Sequence, residues 1–349
     1  MSEPAPTGRG RVRRWALVVG LLGLAIAAAI ILYVGWDKIV AGFVRIGWRG
    51  LAALIATYMV PVGLLASAWM VIDPDAKAKQ WLTFCFARLV RDASGELLPF
   101  SSLGGFVFGA RAAILGGVEP VTAISTTVVD VTAEFIGQLG FAALGVGLLF
   151  YRPEAPPQDL LPSSLVGLGA GAAAAIAFIF VQHRFSGPVE QTIARWVPSS
   201  TIAQEGAVTA SLHALYQQPV RLIASSFIHL AAWVLGAIGV WAGLWVAGLH
   251  MSLRTIVCLE SLVYIIRTLT FAVPMGLGVI EGGYLGVGAL LLGPQHADFA
   301  VALSLMKRVR DVAVGLPAIA IWQVLEGRRL LIPGRSSKAG ARNADQAGG

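Results

Sequence analysis

The stretch FAVPMGLGVIEGGYLGVGALLLG (271–293) decides how this chain is read. It is apolar enough for a bilayer, yet it holds seven glycines, one proline and a lone glutamate, Glu281. Proline and glycine weaken helices, and a bare carboxylate is costly in hydrocarbon. A segment that combines all three reads as a broken helix whose acid faces a polar path rather than lipid.

The rest of the chain fits a membrane setting. It has 349 residues, 56% hydrophobic and 13% charged, with mean hydropathy +0.75. Soluble domains are about one-quarter charged. The net charge of +7 comes from basic residues mostly at the ends of apolar runs. That placement signals topology and anionic headgroups, with no nucleic acid implied. Cys85 and Cys258 lie in apolar context without a CxxC, and the histidines (His183, His213, His229, His250, His296) are scattered. No HExxH, GxSxG, P-loop or dinucleotide fingerprint appears, so no metal, cofactor or catalytic residue is expected.

A full span needs about 20 apolar residues. Residues 15–34, 51–72, 121–150, 163–182, 220–248 and 299–323 meet that need. The first is too long for a signal-peptide core and reads as a retained helix. Two further stretches, 81–118 and 255–293, are too long for one span. Pro99, Gly104 and Gly105 interrupt the first; Pro274, Gly276, Gly278, Gly282 and Gly283 interrupt the second. Each reads as a re-entrant hairpin. The fold class is therefore all-α integral membrane: a polytopic helical bundle of about six full spans plus two broken hairpins.

Basic residues orient it. Arg9, Arg11, Arg13 and Arg14, then Lys77 and Lys79, then Arg184 and Arg195, then Arg328, Arg329, Arg335, Lys338 and Arg342 should all be cytoplasmic, as should both termini. Lys38, Arg45 and Arg49 in 35–50 run against the rule, while 152–162 falls outside. A shift of 177 residues lays LGGVEPVTA (115–123) on LGPQHADFA (292–300) and Glu134 on Asp311. With opposite orientations, 51–182 and 219–323 read as an inverted-topology repeat. Within this single membrane domain (1–349), 183–218 reads as a cytoplasmic amphipathic loop. Residues 324–349 read as a disordered tail.

Charges at membrane depth each need a reason. Asp130 and Glu134 are four apart and share a helix face, as do Lys307 and Asp311. Arg88, Arg91, Asp92, Glu96 and Arg111 fall in the first hairpin, and Glu260, Arg267 and Glu281 in the second. Arg308 and Arg310 flank Lys307. Structural pairs such as Arg88 with Asp92, or Lys307 with Asp311, are the plain reading. Their concentration in two broken regions points instead to a lined polar cavity. Trp15, Trp36, Trp48, Trp69 and Trp322 read as interface anchors, and His229 as incidental.

LLPFSSLGGFVFGARAAILGG (97–117), followed by VVDVTAEFIGQ (128–138), resembles the hopanoid-biosynthesis-associated membrane protein family HpnL. So do LESLVYIIRTLTFAVPMGLGVIEGGYLGVGALLLG (259–293) and ALSLMKRVRDVAVGLPAIAIWQ (302–323). That family sits within the wider group sharing the flippase-like membrane domain of lysylphosphatidylglycerol synthases. The resemblance implies a multi-pass bacterial inner-membrane protein that handles lipid, either a hopanoid or an anionic phospholipid. It also implies a possible homo-oligomer or association with hopanoid biosynthesis enzymes. It places functional weight on Arg111, Asp130, Glu134, Arg267, Glu281, Lys307, Arg308 and Arg310. With only 324–349 after the last span, the synthase domain of bifunctional relatives is expected to be absent, and lipid transport rather than catalysis is expected. A lipid-modifying membrane enzyme and a non-catalytic scaffold are the rivals.

Overall fold

The computed structural model describes residues 36–97, 102–150, 206–269 and 276–331, with isolated positions 32 and 169. The expected spans 15–34 and 163–182, Pro99, Pro274 and the tail after 331 lie outside the described residues. The described chain is helical throughout, without strands: α1 (Trp36–Ile72), α2 (Trp81–Leu97), α3 (Ser102–Leu115), α4 (Pro120–Phe150), α5 (Ala207–Tyr216), α6 (Pro219–Val246), α7 (Leu253–Leu269), α8 (Val279–Leu292) and α9 (Ala297–Leu331). Among the described residues, three segments are long and apolar enough to cross a bilayer: Ile39–Ile72, Pro120–Leu149 and Pro219–Val246. The chain is thus an all-α polytopic membrane bundle.

Of the expected loop 35–50, residues 36–50 are helix. α1 runs from Trp36 and kinks at Gly47, whose φ of 64° lies in the left-handed region. Proline starts α4 and α6, where its missing N–H costs nothing. α2 and α3 form an antiparallel hairpin, as do α7 and α8. The order of lengths recurs: helices of 17, 14 and 31 residues follow α1, and helices of 17, 14 and 35 residues follow α6.

α1 and α6 lie antiparallel at the centre. Thr57 Oγ1 donates to the Gly239 carbonyl at 3.2 Å, and Arg221 Nη1 to the Val71 carbonyl at 2.8 Å. Two main apolar clusters flank them. One packs Leu54, Leu149, Leu244, Leu259 and Leu303; the other packs Trp69, Phe84, Val90, Ala113 and Ala318. Trp69 is therefore a core residue, edge-on to Phe84 at 5.4 Å and donating to Thr126 at 3.1 Å. Trp36 and Trp48 are exposed. Residues 207–216 do not lie free as a surface loop. They form α5, seated on α4 through Ser211 with Ser125 and Tyr216 with Thr132, both at 2.8 Å.

Gly104, Gly105, Gly282 and Gly283, expected to break helices, lie inside α3 and α8. Gly105 instead allows close approach: a Cβ there would sit 2.6 Å from the Arg91 carbonyl oxygen of α2. Gly276 (φ 56°) and Gly278 (φ 76°) take left-handed backbone just before α8.

Candidate functional site

The charges on α2 and α4 meet because both helices place them one turn apart on facing sides. Arg88 and Arg91 lie on α2; Asp130 and Glu134 lie on α4. Arg88 donates to Glu134 through both terminal nitrogens, at 3.0 and 2.8 Å, and through Nε to Asp92 at 2.9 Å. Arg91 donates to Asp130 at 2.5 Å and to Glu134 at 2.6 Å. Its guanidinium also lies over the Phe106 ring, 4.8 Å from the centroid. Such bidentate pairs fix geometry that a lysine would not.

The sequence reading passed over His229. Its Nε2 lies 3.0 Å from Asp130 Oδ1, and both side chains are fully buried. The signal was available: an ionisable residue within the apolar run of α6 is itself a site hypothesis.

A second network joins α7, α8 and α9. Lys307 contacts Glu260 and donates to the Tyr284 hydroxyl at 2.6 Å; Tyr284 in turn donates to Glu260 at 2.6 Å. The expected Lys307–Asp311 pair does not form. The α7 carboxylate captures Lys307 across the helix interface, and Asp311 accepts from Arg310 at 2.7 Å. Arg310 lies over the Tyr58 ring at 4.3 Å. Arg267 joins the two sets by pairing with Glu96 of α2.

Glu281 answers the question set by its own segment. Its Oε2 accepts the Gly278 backbone N–H at 2.8 Å, closing the exposed start of α8, and its Oε1 holds Arg308. The carboxylate thus caps the helix that the glycines interrupt. Expected on the polar path, it stands behind Arg308 instead. Arg111 stands apart, bonded to Glu326 at 2.6 Å on the α3–α9 contact.

Between the two networks lies a cavity of about 200 Å³, formed by α1, α2, α4, α6, α7, α8 and α9. Arg88, Asp92, Glu96, Glu134, Glu260, Arg267, Lys307, Arg308, Arg310 and Asp311 line it, with Tyr58, Trp233, Tyr264, Tyr284 and Ser304. Arg91 and Asp130 stand one layer behind. Among the described residues, no three His, Cys, Asp or Glu side chains are placed to hold a metal ion. Each lining cation has an acid partner, so the wall is polar and nearly neutral.

Fold and cavity together define a polytopic helical membrane protein with a charge-lined polar centre. The family model described as the lysylphosphatidylglycerol synthase TM region matches residues 20–318. The chain belongs to that family, and so to a class of membrane proteins with a lipid-related function. No curated protein and no solved structure matches it.

Proposed function

We propose that this chain is a flippase-like lipid transporter of the bacterial inner membrane, with both termini cytoplasmic and a hopanoid or an anionic phospholipid as cargo. The observation that carries the reading is the charged cavity in a family of lipid-related membrane proteins. A headgroup would enter it while the acyl chains stay in the bilayer. The mechanism needs exchangeable polar contacts at membrane depth. The Lys307–Glu260–Tyr284 and Arg267–Glu96 groups supply them from the cavity wall.

The recurring helix lengths and the antiparallel α1–α6 pair support an inverted repeat, the frame on which alternating access is commonly built. The HpnL-like motif blocks favour a hopanoid cargo. In this scheme Arg267, Lys307, Arg308 and Arg310 would meet phosphate or polyol oxygens, and Glu96, Glu260 and Asp311 would restore neutrality between events.

The test is lipid translocation in proteoliposomes with labelled phospholipids and a labelled hopanoid. Wild type is compared with a Glu260→Gln, Lys307→Gln variant, which removes both charges of one pair and leaves neither unpaired. Selective movement lost in a folded variant supports the proposal. No movement of any lipid by the wild type overturns it, and conversion of the lipid would point to an enzyme instead.

A further inference from the structure

A second hollow lies away from the central cavity and shares no lining residue with it. It is a surface groove of about 610 Å³ where the first turns of α2 meet the ends of α3 and α9. That volume falls within the roughly 300–1,000 Å³ of ordinary ligand sites. Its walls are apolar: Leu82 and Phe86 come from α2, Leu115 from α3 and Leu325 from α9. Leu82 is 71% exposed and Leu325 43%, so the groove opens outward rather than into the core. The charged side chain that lines it is Arg328.

The order of these residues along their helices gives the groove a direction. α9 runs antiparallel to α2: Leu325 and Leu82 share the groove, and further in a Cβ at Gly315 would lie 2.9 Å from the Ala93 Cβ. Arg328 follows Leu325 by nearly one turn, toward the end of α9. It therefore stands at the outer end of an apolar trough, and Phe86 lies deeper. The same end carries the marks of a membrane–water boundary. Lys77 and Lys79 are exposed, and Trp81, exposed at the start of α2, donates to Ser67 at 2.9 Å. An apolar trough with a cation at its boundary end matches an acyl chain with a phosphate above it.

Arg328 is available to a ligand. Glu326, the acid nearest to it in sequence, accepts from Arg111 at 2.6 Å, and Arg328 forms no ion pair among the described residues. The cations that line the central cavity, by contrast, all have carboxylate partners. Arg328 also opens a basic run: residues 328–349 hold Arg328, Arg329, Arg335, Lys338 and Arg342 against one acid, Asp345. Such a run just beyond a helix end is drawn to an anionic membrane surface.

We propose that this groove docks one anionic phospholipid of the surrounding bilayer, with an acyl chain along Leu82, Phe86, Leu115 and Leu325 and the phosphate on Arg328. The planar guanidinium presents paired N–H groups that suit phosphate oxygens. A zwitterionic phospholipid offers the same chain and phosphate but sets its own cation against Arg328 and the basic run, so the site selects by headgroup charge. The proposal does not rest on the transport reading. The groove is separate from the central cavity, and its occupancy is read without any movement of lipid.

The experiment is native mass spectrometry of the full-length protein in detergent with equal amounts of phosphatidylglycerol and phosphatidylcholine of identical chains. The wild type should retain phosphatidylglycerol in preference. Arg328→Gln should lower that preference about five-fold, the worth of one cation near a membrane surface. Leu82→Asn should weaken retention of both lipids, and Arg49→Gln, at an exposed cation of α1 outside the groove, should change neither. Phosphatidylglycerol with a diazirine on its acyl chain should crosslink to peptides of α2, α3 and α9. Equal retention of the two lipids by the wild type, a preference unchanged in Arg328→Gln, or crosslinks spread evenly over the bundle overturns the proposal.

Discussion

Arg88 and Glu260 stand at the same position in two successive helix sets and carry opposite charge. Each is the eighth residue of a 17-residue helix, α2 and α7 respectively. Their partners match as well: Asp130 is the eleventh residue of α4, and Lys307 is the eleventh of α9. Arg88 approaches Asp130 at 3.6 Å, and Lys307 contacts Glu260. Helix packing places the pair in both sets, while its sign is free to differ.

If pairing rather than sign matters, exchanging the charges should be tolerated. Glu260→Lys and Lys307→Glu should each cost about 3–5 kcal/mol by leaving like charges buried together. The double exchange should restore most of that loss. Thermal unfolding in detergent reads it; a double variant as unstable as the two losses combined would refute the pairing argument.

Arg88 serves Asp92 and Glu134 with one planar guanidinium. Arg88→Met should cost about 3–5 kcal/mol, because buried carboxylates lose their partner. Arg88→Lys should recover little, since an ammonium does not reproduce the fork. Near-native stability in the lysine variant would show that charge alone suffices.

Adjacent glycines on α3 should respond differently. At Gly105 a Cβ would lie 2.6 Å from the Arg91 carbonyl oxygen and 3.1 Å from the Gly95 nitrogen, both backbone atoms that cannot turn aside. Gly105→Ala should destabilise by about 1–3 kcal/mol as the α2–α3 hairpin is forced apart. At Gly104 the nearest such contact is 3.9 Å, to Phe108. Gly104→Ala should be neutral or stabilising by up to about 1 kcal/mol, from helix propensity. Equal effects in a melting comparison would contradict the close approach.

Glu281 holds two roles that substitutions can separate. Glu281→Gln keeps an acceptor for the Gly278 N–H but removes the charge that balances Arg308. Glu281→Ala removes both. Alanine should be less stable than glutamine by about 1 kcal/mol, the usual value of a helix cap. Identical unfolding temperatures would mean that the cap contributes nothing.

The broken segment shows how far sequence reasoning reached. The glycines, proline and acid of 271–293 marked an interrupted helix, and positive φ values at Gly276 and Gly278 fall there. The role of Glu281 as a cap was not legible, because it depends on where α8 begins. The four-residue spacing of Asp130 and Glu134 gave a shared face correctly, since periodicity alone sets it. The same logic misassigned Lys307 to Asp311. Local spacing shows which groups can meet, but Glu260 competes from another helix 47 residues away.

The sequence by itself determined a membrane-embedded, all-helical chain, because hydropathy and composition are local sums that no packing can reverse. It also marked most of the charged residues that meet at the centre, since ionisable groups in apolar runs stand out wherever they fall. Only the tertiary structure decided the partners: Arg88 and Arg91 with Glu134, Arg267 with Glu96, and His229 with Asp130. Those contacts join residues 43 to 171 positions apart. The direction in which each helix face points is set by packing against the others, a property that no single helix carries in its sequence.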